Sequence, residues 1–356
     1  MKYPAGRKIT EHTDQQTTIK QWRRGAFVLA MATTSVTTRL PAQEPVRLSL
    51  PDGRSLEVIG LRRWSLQMVQ DSLAKYSPHD SLQSHACAAI LRYKLLFADA
   101  ASAMYVGETG PMRIVVSLRE PQDSARVHYR SVPLDSANPR PVWRVATAVM
   151  HDRPDIFWPA IQSYLSGSKQ PAPQWRSAGD SAVAATLIVF LRARKSNVDW
   201  ADAITVLNQS PNMYDRAIAT LILANFSERD QTWWALVETL RESDGLAKGV
   251  ASQVLLALTR NHPKKVEWAT VANGINAILD GTSLFMLPIL AQVLVGTGVT
   301  PADAQLFLRD GGDMLVRYLK SSEPYLVSNA HALLVQLRGA DLGLEPDPWR
   351  RWIVSL

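Results

Sequence analysis

From residue 142 to the C-terminus the chain contains helical segments with no polar side to offer water. Ala217-Ile218-Ala219-Thr220-Leu221-Ile222-Leu223-Ala224 is apolar all round apart from one threonine. Val250-Ala251-Ser252-Gln253-Val254-Leu255-Leu256-Ala257-Leu258 and Asn329-Ala330-His331-Ala332-Leu333-Leu334 mix small residues with leucine in the same way. A helix apolar on both faces must be packed between neighbours, and small residues on one face let a neighbour come close. The spacing predicts helices over 142–151, 155–165, 180–195, 199–209, 214–226, 229–241, 246–260, 264–280, 283–295, 302–309, 312–320, 324–338 and 347–354. The breakers between them are Ser210-Pro211-Asn212, Asp244-Gly245, Asn261-His262-Pro263 and Gly311-Gly312, with 166–179 as a loop or linker. Arg216 and Lys248 occupy comparable positions 32 residues apart, the period of a helix pair.

These helices resemble HEAT-like or armadillo-type repeats, which implies an α-solenoid of stacked pairs, none stable alone. A compact helical bundle is the alternative reading of the same periodicity. Pro346-Asp347-Pro348-Trp349-Arg350-Arg351-Trp352 reads as a capped last helix closing the array. Trp233 and Trp234 point about 100° apart on a helix, so only one of them needs burial.

The other end of the chain reads as an address. Arg23-Arg24 precede the apolar run Gly25–Ala32, followed by Thr/Ser-rich sequence and Leu40-Pro41-Ala42-Gln43. Basic, then apolar, then small is the order of a secretory leader, with cleavage expected near Ala42. The expectation is therefore an extracytoplasmic protein, periplasmic or secreted. Residues 1–42 carry seven of the 39 Lys+Arg and two of the 32 Asp+Glu, so the net +7 falls to +2 beyond them. That removes the electrostatic case for a nucleic-acid partner. The single cysteine, Cys87, excludes an intramolecular disulfide framework, and no stretch of 18 apolar residues provides a membrane span in the mature chain. Peripheral association with an envelope membrane stays open.

Between these ends, residues 45–130 read as a small α+β domain, making the expected class a mixed one: this module, then a larger all-α, HEAT-like domain over 131–356. Val46–Leu50 and Leu56–Ile59 alternate with period two around Pro51-Asp52-Gly53, a hairpin signature. Ser65 caps a helix with Leu66, Val69, Leu73 and Tyr76 on one face, and Ser77-Pro78-His79-Asp80 breaks it. A second helix starts at Asp80 or Ser81 and runs through Leu96. Extended runs Ala103–Val106 and Met112–Leu118 follow, around Gly107-Glu108-Thr109-Gly110.

The order strand, helix, helix, strand, strand resembles the POTRA module of outer-membrane assembly and secretion proteins. Leu56-Glu57-Val58-Ile59-Gly60 stands as its first strand, Leu91–Ala100 as the end of its second helix, and Ile114–Pro121 as its closing strand. The chain departs from that pattern in having Pro78-His79 between the helices, an extra strand at 46–50, and Leu96 where a glycine is expected before Phe97. The resemblance implies that Ala103, Met104, Tyr105 and Val106 form an edge strand able to accept a protein or peptide partner by β-augmentation.

The sequence carries none of the common catalytic motifs in complete form. There is no Gly-x-x-x-x-Gly-Lys-Ser/Thr, no Gly-x-Ser-x-Gly and no His-Glu-x-x-His, and Gly296-Thr297-Gly298 lacks a third glycine. Ser72-Leu73-Ala74-Lys75 matches Ser-x-x-Lys, but no Lys-Thr-Gly accompanies it, and Lys75 reads as a solvated helix-end cation. His79, Asp80, His85 and Cys87 are close in sequence, yet residues 85 and 87 face opposite sides of a helix, so no shared ion is expected. No catalytic residue, metal or cofactor is expected. The chain reads as a non-enzymatic binding or scaffold protein of the cell envelope; an extracytoplasmic hydrolase with convergent carboxylates or histidines on the helical domain is the alternative.

Overall fold

The computed structural model describes residues 44–356 apart from 78–80, 85, 107–110, 132–140, 168–176 and 244. The expected leader, Ala42, His79, Asp80, His85 and the 107–110 turn lie outside the described residues. A hairpin begins the fold: β1 (Val46–Ser49) pairs antiparallel with β2 (Ser55–Ile59), Val46 opposite Val58. Gly53, at φ +83°, makes the turn that its missing Cβ allows, and its N–H donates to the Leu50 carbonyl at 3.0 Å. α1 (Leu66–Tyr76) starts where Ser65 accepts the Met68 N–H, as its sequence predicts. α2 covers only Ala86–Tyr93; residues 82–84 form a turn, so the second helix begins later and ends earlier than periodicity suggested.

Leu96 explains the early end. It stands at φ +57° and is exposed, in a left-handed conformation that closes the helix and turns the chain into the next strand. A leucine there is strained by about 1–2 kcal/mol, partly offset in glycine by about 0.5–1 kcal/mol of lost backbone entropy. Leu96→Gly is therefore expected to raise stability by about 0.5–1 kcal/mol, read as a higher urea midpoint with an unchanged slope; a lower midpoint would show that the Leu96 side chain matters more than its backbone.

β3 (Asp99–Tyr105) begins four residues before the extended run read from sequence and stops one before Val106, and β4 (Arg113–Arg119) follows. The sheet order is β1-β2-β4-β3, with β2 parallel and β3 antiparallel to β4. Alternation divides the sheet between two cores. Leu56, Val58, Ile114, Val116 and Leu118 join α1 and α2 in one apolar cluster, whereas Ile59 and Val115 join the helices that follow.

Those helices are α3 (Arg144–Asp152), α4 (Pro154–Leu165), α5 (Ala178–Arg192), α6 (Asn197–Gln209), α7 (Met213–Leu223), α8 (Asp230–Thr239), α9 (Leu246–Asn261), α10 (Ala272–Asp280), α11 (Leu287–Gly296), α12 (Ala304–Leu308), α13 (Asp313–Tyr318), α14 (Pro324–Arg338) and α15 (Pro346–Val354). The fold is thus mixed, a four-stranded sheet near the N-terminal end followed by many helices. Every residue of α7 from Asp215 to Leu223 is buried, the outcome its all-round apolar sequence demands. The single expected helix 264–280 is instead a loop, a 3₁₀ turn at Ala269–Val271 and α10. Trp233 is buried edge-on to Trp268 while Trp234 is half-buried, and Trp349 is buried beside half-buried Trp352. Among the described residues no single helix is long and apolar enough to cross a membrane.

The sheet face turned toward the helices is unusually polar, and its charges meet partners there. Glu57 accepts from Ser321 Oγ at 2.6 Å, from the Ser322 N–H at 2.8 Å and from Arg47 Nε at 2.9 Å. Arg119 donates to Asp313 at 2.6 Å and to both the carboxylate and carbonyl of Asp280; Arg126 binds Asp280 through two nitrogens, at 2.5 and 2.8 Å. The same Asp313 oxygen accepts from Arg62 at 2.6 Å and Arg317 at 3.0 Å. Gly281 makes room for this: a Cβ there would lie 3.1 Å from Arg119 Nε and 2.9 Å from Met314. Glu120, just after β4, gathers the backbone N–H groups of Arg62, Arg63 and Trp64 at 2.6–2.9 Å.

Candidate functional site

β3 lies at the outer border of the sheet and pairs with β4 alone. Two hydrogen bonds determine which of its backbone groups point outward. The Ser55 N–H donates to the Met112 carbonyl, so even-numbered residues of β4 turn toward β2 and odd-numbered ones toward β3. Ala101, Ala103 and Tyr105, opposite Ser117, Val115 and Arg113, therefore make the β3–β4 ladder. Ala100, Ser102 and Met104 direct their N–H and C=O groups away from it. In agreement, the Ala100 N–H donates to its neighbour's carboxylate, Asp99 Oδ1, at 2.8 Å. Asp99 also accepts the Leu284 N–H at 2.8 Å and so fixes the start of the border against the helices.

From Ser102 to Met104 no other backbone segment among the described residues bonds to the border; Ser102 itself is buried, and the strand becomes exposed at Met104. Its sequence lacks the usual protection. No charged residue and no proline occurs from Ala100 through Val106, whereas the opposite border strand β1 is only four residues long, carries Arg47 and follows Pro45. The surroundings are apolar and accessible. Met104 is 38% exposed and Val106 75%.

A wall comes from the helical part. The 3₁₀ turn Leu284–Met286 packs against β3, and Phe285, 49% exposed, stands with Pro288 beside Ala101, Ala103 and Tyr105 around a shallow dimple. Tyr105 meets Tyr325 of α14 at 6.1 Å between ring centroids, and burial pushes its phenol pKa well above the ordinary value, so it stays neutral. Small alanines on this face let Phe285 and Pro288 come close to β3.

The four residues picked from sequence thus divide by role. Met104 carries outward backbone groups, Ala103 and Tyr105 hold the ladder and line the dimple, and Val106 lies just past the strand. Phe285, Pro288 and Tyr325 were missed, because contacts across some 180 to 220 residues leave no local signal. The other candidates settle into structural positions. Lys75 is exposed in the last turn of α1, and Cys87 is buried in the α1/α2 core. His331 of α14 reaches Asp341 at 2.8 Å and abuts Trp349. Among the described residues, no group of three or more His, Cys, Asp or Glu side chains could hold a metal ion. Set beside known proteins, the chain matches no family model, no curated protein and no solved structure.

Proposed function

We propose that this chain is an exported, non-enzymatic binding protein that captures an extended peptide segment along β3, while HEAT-like stacking of the later helices forms the scaffold behind it. The observation that carries this reading is the border of β3 beyond Asp99, uncharged and proline-free, with the outward backbone groups of Ser102 and Met104 on the side of the strand away from β4 and Phe285 beside its inner face. An incoming strand would pair with those groups and lay its side chains alternately beside Phe285 and over Met104. The leader-like first segment supports an extracytoplasmic location, tested by N-terminal sequencing of the secreted protein, which should begin near Gln43. A hydrolase needs convergent acidic or histidine groups, and a cleft of about 430 Å³ on the helices is lined, among the described residues, by one histidine and no carboxylate.

The strand-capture reading predicts a sharp difference between neighbouring substitutions. Met104→Pro deletes an outward N–H and leaves the ladder donors of Ala103 and Tyr105 in place. Losing that bond and crowding the border should weaken binding of peptides selected from a random display library about tenfold or more, with little change in melting temperature. Bound peptides should also slow hydrogen exchange at the Ser102 and Met104 amides. Selected peptides that protect a different surface, or that bind Met104→Pro with unaltered affinity, would sink strand capture.

A further inference from the structure

The cleft of about 430 Å³ lies where several helices end, and it shares no residue with the β3 border. Leu165 and Ser166 close α4, Arg192 ends α5 and Lys195 follows it, Ala224 and Asn225 belong to the 3₁₀ turn after α7, and Asn261 and His262 close α9. Such ends expose carbonyl oxygens and carry partial negative charge, which alone would favour a cation. Here four of those oxygens are already engaged. Asn225 donates to the carbonyls of Leu191 and Arg194 at 2.9 and 3.0 Å, Asn261 to that of Leu165 at 2.9 Å, and the Tyr164 hydroxyl to that of Leu221 at 3.1 Å. A cation entering the cleft would have to share these four oxygens with the donors already on them.

An anion would meet the opposite situation. Arg192, Lys195 and His262 line the cleft with no carboxylate among its lining residues, and the side chains of Lys195 and His262 are exposed and make no ion pair among the described residues. A helix-end cation needs no hollow to do its work, but these stand around one. The floor is apolar, made by Leu165, Ala224, Ala257 and Leu258, of which Ala257 and Leu258 are buried. A volume of this size falls in the range of small-molecule sites, about 300–1,000 Å³.

We infer that this cleft binds a small amphiphilic organic anion, its apolar body on the Ala257–Leu258 floor and its carboxylate or phosphate between Lys195, His262 and Arg192. The floor discriminates against bare inorganic anions, and the basic rim discriminates against neutral molecules of the same shape.

Calorimetric titration of the purified full chain tests this with three probes: octanoate, octanamide and inorganic phosphate. Octanoate should bind saturably and about tenfold or more tighter than either of the others, since each of them lacks one half of the match. Lys195→Glu combined with His262→Glu should weaken octanoate about tenfold or more; both side chains are exposed, so the unliganded melting temperature should hold. The inference is overturned if octanamide equals octanoate, which makes the site merely greasy, or if phosphate equals it, which makes it merely charged. It is equally overturned if none of the probes binds, or if the double variant binds octanoate as the native chain does.

Discussion

Asp313→Asn is expected to destabilise the protein by about 3–5 kcal/mol, the usual result of removing one partner from a buried charge network. One oxygen of Asp313 receives Arg62, Arg119 and Arg317, and the latter two side chains are almost completely buried. An amide cannot neutralise three guanidinium groups, and the loss should appear as a fall of the urea midpoint and of the melting temperature by on the order of 10 °C. Asp347→Asn, which removes the exposed partner of Arg350, should leave both unchanged. Acid provides an independent reading. Burial alone would push the Asp313 carboxyl up, but the charges of Arg317, Arg119 and Arg62 outweigh it and hold the pKa well below the usual carboxylate range. A carboxyl depressed in the folded state stabilises above its unfolded pKa, near 3.9, and that contribution is lost as pH falls below about 4. Asp280 acts in the opposite sense, since burial raises its pKa despite Arg119 and Arg126, so its protonation favours the folded state. With three guanidiniums on one oxygen, Asp313 dominates, and the native chain should weaken on acidification below pH 4. In Asp313→Asn this limb should flatten. An acid profile as steep as that of the native protein would place the sensitivity elsewhere.

This network was invisible in the sequence, and the reason is physical. Arg119 and Asp280 are 161 residues apart, and an arginine in an extended run reads as a solvent-facing residue when its neighbours alternate. Local signals were legible wherever a single segment decides its own structure. The Pro51-Asp52-Gly53 turn, the Ser65 cap and the all-round apolarity of α7 each need only a few consecutive residues. Boundaries failed where tertiary contacts decide. Asp99 was placed before the extended run, and within the end of the second helix in the resemblance, yet it opens β3, and its carboxylate accepts the Leu284 N–H from the helical part. The candidate border was half legible for the same reason: Ala103 and Met104 announce an uncharged strand, whereas the wall provided by Phe285 exists only once the helices fold back against it.

Gly60→Ala should be among the most damaging single substitutions in the chain, above about 4 kcal/mol and sufficient to leave little folded protein at 37 °C. Gly60 ends β2 at φ +102°, and a Cβ there would sit 2.0 Å from the Leu118 carbonyl oxygen. Neither partner is a flexible side chain that could swing aside; relief requires β2 and β4 to part. Gly53→Ala separates strain from clash, because Gly53 also has positive φ, +83°, but open space around it. It should cost only about 1–2 kcal/mol, the penalty for a left-handed residue. The two glycines also bear on binding. β3 is held by β4, and β4 by β2, so parting the β2–β4 ladder at Gly60 removes the support of the capturing border. Gly60→Ala should therefore lose peptide binding together with stability, Gly53→Ala should keep binding, and Met104→Pro should lose binding alone. Urea midpoints measured beside peptide affinities for these three variants check the order. A Gly60→Ala protein with a near-native midpoint would mean that the sheet tolerates a separation of β2 from β4 that its backbone geometry forbids.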